Sequence, residues 1–258
     1  MGQYTSKTPN AQGIVDYSAT ENETWAILYD RQKKIIQNRA CDEFLQGLEI
    51  LDMPNNRVPQ CPEISERLRR TTGWAVEPVQ KIIPLKTFFE LLANKHFPAA
   101  TFIRTREDLD YLQEPDIFHE FFGHCPLLTN QAYANFVESY GKLALQAQPG
   151  FRSILGRLFW FTIEFGLLKT PAGLRIFGGG ILSSFKETQY AIESPIPKRV
   201  DFMLREVMKT AYRYDEIQTL YYVLESIEDL FKINQMDLLG LAEKIASNTD
   251  KMEDFITC

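Results

Sequence analysis

The 258-residue chain is poor in histidine, with three, and in cysteine, with four. Cys41, Cys61, Cys125 and Cys258 form no C-x-x-C pair and no dense framework. That spacing excludes a disulfide-stapled scaffold and a thiolate metal knuckle, so the cysteines are expected to be free thiols in a reducing cytoplasm. Long apolar runs are missing as well. The longest apolar block, residues 154–168, is interrupted by Arg157 and Glu164 and is too short to span a bilayer. The first thirteen residues lack the apolar core of a secretion signal, so a soluble cytoplasmic protein is expected. No excess of basic charge is present. A net charge of −6 argues against a nucleic-acid or anionic-membrane surface. Internal repeats and low-complexity linkers are also absent, which favours one domain over two.

What is there is ordinary for a globular chain, 45% hydrophobic and 24% charged, and long enough to bury a substantial core. Helical periodicity dominates. Thr20-Glu21-Asn22-Glu23 has the form of a capping box and predicts a helix over 20–38. Further helices are expected over 41–51, 62–72, 87–95, 130–146, 152–169, 201–212, 226–233 and 236–248. Short strands are expected over 74–79, 99–104, 174–177 and 220–224. The expected fold class is therefore α+β, predominantly α-helical with a few short strands. A single domain over 20–258 follows a loose N-terminal arm over 1–19.

Two of the three histidines, His119 and His124, sit in one run, Glu114-Pro-Asp-Ile-Phe-His-Glu-Phe-Phe-Gly-His-Cys-Pro126, while His96 stands apart. Imidazole is the commonest protein metal ligand, and a neutral pair needs only a carboxylate to complete a three-donor site. The zinc-protease pattern H-E-x-x-H puts its histidines on one helical face. Here the spacing is one residue longer, and five steps of an α-helix leave the two rings roughly 140° apart. For both to reach one ion the helix must loosen or end, and Gly123 and Pro126 are residue types that end helices. The alternative is a buried helix end with two hydrogen-bonded histidines.

Residues 152–169 are apolar on nearly every face, the mark of a buried segment, yet they carry Glu164. A buried carboxylate is costly unless paired or bound to metal. It either forms a salt bridge, with Arg157 or Arg175 as candidates, or supplies the oxygen donor that the His119/His124 pair lacks. Two histidines and one carboxylate leave coordination positions open, as in non-haem Fe(II) oxygenases.

Three stretches in order carry a resemblance: Pro115-Asp-Ile-Phe-His119-Glu120-x-x-Gly123-His124-x-Pro-Leu127, Trp160-Phe-Thr-x-Glu164-Phe165-Gly-Leu167, and Gly178-x-Gly180-x-Leu-Ser183-Ser184. Together they closely resemble the pterin-dependent aromatic amino acid hydroxylases, and the resemblance runs from about Trp25 to Phe231. It implies a single catalytic domain of that type. Its compact form, without an N-terminal regulatory domain, resembles the bacterial members that hydroxylate phenylalanine at C4. The implied reaction converts L-phenylalanine to L-tyrosine with O₂, Fe(II) and tetrahydrobiopterin or a related tetrahydropterin.

The resemblance implies that His119, His124 and Glu164 hold the iron. It makes Arg104 the anchor for the substrate carboxylate, oriented by Asp116, a role suited to the two-point fork of a guanidinium. Trp160, Phe165, Gly180 and Ser183 match positions lining the amino acid pocket. Phe88 matches the ring on which the pterin stacks, with Ile82, Ile83, Phe89, Glu120, Gly156 and Phe159 as neighbours, and Glu120 is the implied catalytic carboxyl. Two departures stand out: Phe159 occupies a position usually held by Tyr, and Leu112 one often held by Thr. The segment 236–248 shows no sustained heptad, so a monomer or dimer is expected in place of the tetramer of animal members. Tyrosine and tryptophan hydroxylases share the iron motif, and selectivity among the three lies in pocket shape. A zinc hydrolase using Glu120 as base is a rival reading, weakened by the longer spacing; a metal-free binding module is another.

Overall fold

The computed structural model describes residues 4–80, 83–110, 112 and 114–247. Helix α1 (Ala19–Ile35) starts at a reciprocal cap: Ser18 accepts from the Glu21 amide and the Glu21 carboxylate accepts from the Ser18 amide. The cap lies two residues ahead of Thr20 because Glu21, rather than Glu23, is the acidic partner. Asn38, at φ 61°, marks the turn that follows the helix. Helices α2 (Asp42–Leu51) and α3 (Cys61–Thr71) follow, the latter capped by Gln60 and Glu63. Strand β1 (Ala75–Val79), helix α4 (Leu85–Ala93) and strand β2 (His96–Ala100) form a crossover unit. Its strands pair in parallel from Ala75 opposite His96 to Val79 opposite Ala100.

The strand expected over 99–104 ends early, at Ala100. Beyond it the backbone bonds to the histidine run rather than to a neighbouring strand. Phe102 O accepts from Ile117 N at 2.9 Å, and Arg104 N donates to the Asp116 carboxylate at 3.0 Å. This exchange holds Arg104 against the start of the histidine turn.

Helix α5 (Gln131–Gln146), capped by Asn130, packs on α4. The helix expected over 152–169 is three structures. Helix α6 (Arg152–Phe159) widens into a π-helical turn (Trp160–Glu164), and residues 167–170 belong to strand β3 (Leu167–Thr170). Only Leu167 and Leu168 of β3 are buried, with Lys169 exposed, and so short a strand continuing an apolar helical run shows no alternation to separate it, which is why the sequence pattern misleads there. Strand β4 (Gly173–Ile176) pairs antiparallel with β3 across a tight turn. Next come helices α7 (Gly179–Leu182) and α8 (Phe185–Glu193), strand β5 (Lys198–Asp201), helix α9 (Leu204–Lys209) and strand β6 (Leu220–Leu224). The four-stranded sheet has the order β4-β3-β6-β5, with β6 parallel to both neighbours. Helices α10 (Glu228–Asn234) and α11 (Leu238–Ser247) complete the described chain; Asn248, the expected end of the last helix, lies outside the described residues.

The predominantly helical α+β class is borne out. Helix α8 and strand β5 have no counterpart in the sequence pattern, and the helix expected over 201–212 shrinks to α9. One apolar cluster runs from Val15 to Ile245. Residues 4–18 contain no helix or strand, yet they lie against the body of the fold. Tyr4 stacks on Phe102 at 5.0 Å, Val15 is buried, and the Tyr17 hydroxyl donates to Thr101 O at 2.9 Å.

Candidate metal centre

The five-residue spacing of the histidines is resolved by a change of helix type. Residues His119–His124 form a π-helical turn, in which Cys125 N donates to Glu120 O at 3.3 Å, five residues back. Such a turn brings residue i+5 round to the face of residue i, where an α-helix would leave it far off. The Nε2 atoms of His119 and His124 lie 3.1 Å apart. Glu164 ends the other π-helical turn, closed by Phe165 N donating to Trp160 O at 2.9 Å. Its Oε1 is 3.3 Å from His124 Nε2 and its Oε2 is 3.8 Å from His119 Nε2. Neither arginine considered as its partner reaches it: Arg157 donates to the carbonyls of Met208 and Lys209, and Arg175 to that of Leu174.

These separations suit donors each about 2 Å from a shared ion. The protonation pattern suits it too. The Ser183 hydroxyl donates to Gly180 O at 3.3 Å, so its oxygen accepts from Nδ1–H of His119 at 2.9 Å. That tautomer leaves the Nε2 lone pair facing the other donors. Burial lowers the His119 pKa to about 4, opposed by Glu164 and assisted by His124, so the ring is neutral. Burial alone would raise the Glu164 carboxyl, but His124 and His119 outweigh it and hold Glu164 below the usual range. The donor set therefore fits a divalent ion. Glu120 also offers an oxygen within 4.8 Å of both imidazoles. Glu164 is the closer of the two carboxylates, and burial, then the charges of Glu164 and Asp116, pushes the Glu120 carboxyl well above its ordinary 4.5. His96 is not in this group; its Nδ1 lies 2.8 Å from Asn94 O.

The glycine run after β4 lets the two turns meet. A Cβ on Gly179 would lie 2.5 Å from Cε1 and Nδ1 of His124, and one on Gly178 2.4 Å from Glu164 O. His124 is held by packing: Phe97 flanks its ring at 4.9 Å, and its buried Nδ1 has no partner among the described residues.

Arg104 and Asp116 form a buried fork, Nε to Oδ2 and Nη2 to Oδ1, both 2.8 Å. Asp116 Oδ1 also accepts from His119 N at 3.0 Å, tying the guanidinium to the histidine turn. Burial would raise the Asp116 pKa; Arg104 and the Arg104 and His119 amides overcome this and hold it low. Nη1 of Arg104 is left without a partner among the described residues, and is thus available to a carboxylate.

Trp160 and Phe165 face each other with ring centres 4.6 Å apart, and Gly180 lies beside both Phe165 and Glu164. Ser183, expected in the same pocket, contacts His119. Phe88 is half-buried and meets Phe159 edge-on at 5.2 Å. Gly156 has open space where a Cβ would stand. Phe89 is 1% exposed, packed on Tyr140 and Phe88, so it lies in the core behind half-buried Phe88. Ile83 and Leu112 are half-buried, and Ile82 lies outside the described residues. The sequence offered no signal for Tyr212, stacked on Trp160 at 4.1 Å, for Gln218, bonded to the Trp160 indole, or for Phe97. All three lie far from the motifs in the chain and join them only through folding.

Residues 3–246 match the family model described as biopterin-dependent aromatic amino acid hydroxylase. Phenylalanine-4-hydroxylase of Pseudomonas aeruginosa is 52% identical over 94% of this chain and 92% of its own length. Among solved structures, phenylalanine hydroxylase of Legionella pneumophila superposes with a TM-score of 0.91 at 51% identity, covering 94% of this chain and 96% of that one. The Chromobacterium violaceum phenylalanine hydroxylase with bound oxidised Fe(III) gives 0.89 at 45% identity, covering 94% of this chain and 88% of that one.

Proposed function

The chain belongs to the biopterin-dependent aromatic amino acid hydroxylases, and on that premise we propose that it is a phenylalanine 4-monooxygenase. It converts L-phenylalanine to L-tyrosine with O₂ and a tetrahydrobiopterin-type cofactor at Fe(II). The observation that carries the proposal is the convergence of His119, His124 and Glu164 beside an arginine braced by a buried carboxylate. The names of relatives sharing about half their residues with this chain support phenylalanine as the ring to be hydroxylated.

In this reading the iron is held by the two Nε2 atoms and the Glu164 carboxylate. Iron and pterin together supply the activation of O₂, chemistry outside the reach of side chains. The protein supplies position. Arg104 binds the amino acid carboxylate through the face of its guanidinium that Asp116 does not occupy. Trp160 and Phe165 enclose the phenyl ring in an apolar slot, with Gly180 leaving room beside Glu164. Phe88 offers its face to the pterin, and Gly156 and Phe159 border the same space. Burial and the charges of Glu164 and Asp116 raise the Glu120 carboxyl well above its ordinary range, which favours its protonated form and suits it to hold a proton for the reaction. Only small molecules are needed as partners, and no helix among the described residues is long and apolar enough to cross a membrane. A cytoplasmic monomer or dimer is part of the proposal, in keeping with three buried free cysteines, Cys41, Cys61 and Cys125.

The test is product analysis with Fe(II), a tetrahydropterin and each aromatic amino acid in turn. Pterin-dependent tyrosine formation from phenylalanine is expected to exceed turnover of tyrosine and tryptophan. Hydroxylation of tryptophan or tyrosine as the preferred substrate would overturn the substrate assignment. Purification with zinc and no pterin-dependent turnover would overturn the reaction class.

A further inference from the structure

Trp160 is gripped from behind. Its indole Nε1 donates to Oε1 of Gln218 at 3.0 Å, and Tyr212 stacks flat on the ring at 4.1 Å with planes 12° apart. Gln218 is 6% exposed, and each of its polar side-chain atoms is used. Its Nε2 donates to the carbonyls of Arg213 at 2.7 Å and Glu216 at 3.0 Å, closing the irregular loop between α9 and β6 onto itself. Its backbone N donates to Oε1 of Glu187 at 3.2 Å, and the same oxygen accepts from the Tyr221 hydroxyl at 2.7 Å. Glu187 is buried on α8, so helix, loop and indole are joined through one residue.

We propose that Gln218 is a positioning residue for the amino acid pocket: it fixes the Trp160 wall and consumes its N–H, so that only an apolar ring face meets the substrate. The inference rests on the proposed role of Trp160 as a wall of that pocket. The physical case is that an indole N–H facing the protein interior needs an acceptor, and Gln218 Oε1 is the acceptor. Without it the N–H must turn toward water or substrate, and the ring turns with it. Displacement of a ring-binding wall weakens substrate binding while leaving the metal donors alone, since Gln218 touches none of them.

The variant Gln218→Met keeps the length of the side chain and removes all three of its hydrogen bonds. Gln218→Glu keeps an acceptor for the indole and loses the donations to Arg213 and Glu216. The chain has three tryptophans, and Trp25 and Trp74 are 0% exposed, so acrylamide quenching of fluorescence reports on half-buried Trp160. In Gln218→Met, quenching of the metal-free protein is expected to rise and phenylalanine KM to increase about tenfold, with kcat and iron content within about twofold of wild type. Gln218→Glu should keep quenching near wild type and KM between the two. If Gln218→Met does not fold, Gln218→Glu carries the test, and a phenylalanine KM equal to wild type in it overturns the inference.

Trp160→Ala separates this inference from the reading beneath it. A raised KM in Trp160→Ala, with KM unmoved in Gln218→Met, would overturn the role of Gln218 alone. KM unmoved in Trp160→Ala would overturn the pocket assignment of Trp160 itself.

Discussion

Replacing Gly179 by Ala tests the metal centre at a residue that bonds to none of its donor side chains. The added Cβ would stand 2.5 Å from Cε1 and Nδ1 of His124 and 2.9 Å from its Cγ. Carbon contacts settle at about 3.5–4.0 Å, so the imidazole or the α7 backbone must move by about 1 Å. The ring cannot simply retreat, because Phe97 packs against it at 4.9 Å and His124 is 1% exposed. Ligand distances tolerate only about ±0.2 Å, so the displacement is roughly five times what coordination allows. Metal affinity should fall by at least about 10–100-fold, the loss seen when support of a metal-bound histidine is removed. Overpacking of this kind costs about 1–3 kcal/mol, a fall of about 2–12 °C in the melting temperature of the metal-free protein. Iron content after dialysis against a buffered Fe(II) series, beside a melt of the metal-free protein, reads both quantities. Gly156→Ala, where a Cβ meets nothing, is the control and should leave iron binding unchanged. Wild-type iron affinity in Gly179→Ala would refute the assignment of His124 as a ligand held by packing.

Three further expectations follow from the same site. Arg104→Lys keeps the charge but loses the fork to Asp116, so phenylalanine KM should rise about 10–100-fold at full iron loading; steady-state kinetics beside an iron assay would reject the anchor if KM stays put. Phe88→Ala should weaken tetrahydropterin binding by about 1–2 kcal/mol with iron content normal, because the edge-on support of Phe159 and Phe89 is arranged behind that ring; unchanged pterin affinity by calorimetry would remove Phe88 from the cofactor site. The folded pKa of His119 is lowered from 6.5 to about 4, so as pH falls the unfolded chain takes up that proton first. The metal-free protein should therefore lose stability between about pH 6.5 and 4 through this group, and gain nothing from it above that window. Urea midpoints at pH 7.5 and about 4.5 should fall further for wild type than for His119→Gln, and equal falls would show that His119 is not buried neutral.

The donor types that the fold brings together, two imidazoles and a carboxylate, were legible in the chain before any fold was known. Three histidines with two in one run, and a carboxylate inside an otherwise apolar segment, are costly placements that local composition reveals. Arg104 and Asp116 were singled out only by the family resemblance, because an arginine after a strand is by itself an ordinary surface residue, whereas helix caps leave signals within a few residues. Helix type was not legible: an i, i+5 pair reads as a mismatch until hydrogen bonding shows that both donor-bearing turns are π-helical. Strand β3 was hidden because two buried leucines continuing an apolar helical run give no alternation, and two adjacent aromatics on a helix, Phe88 and Phe89, do not declare which is half-buried and which faces the core. The contacts that shape the site join residues distant in sequence: Ser183 to His119, Gly179 to His124, Gln218 to Trp160. Sequence pattern records each residue's local preference for helix, strand, burial or charge. Which residue closes on which across tens of positions depends on how the packed elements share one interior, and only the tertiary structure decides that.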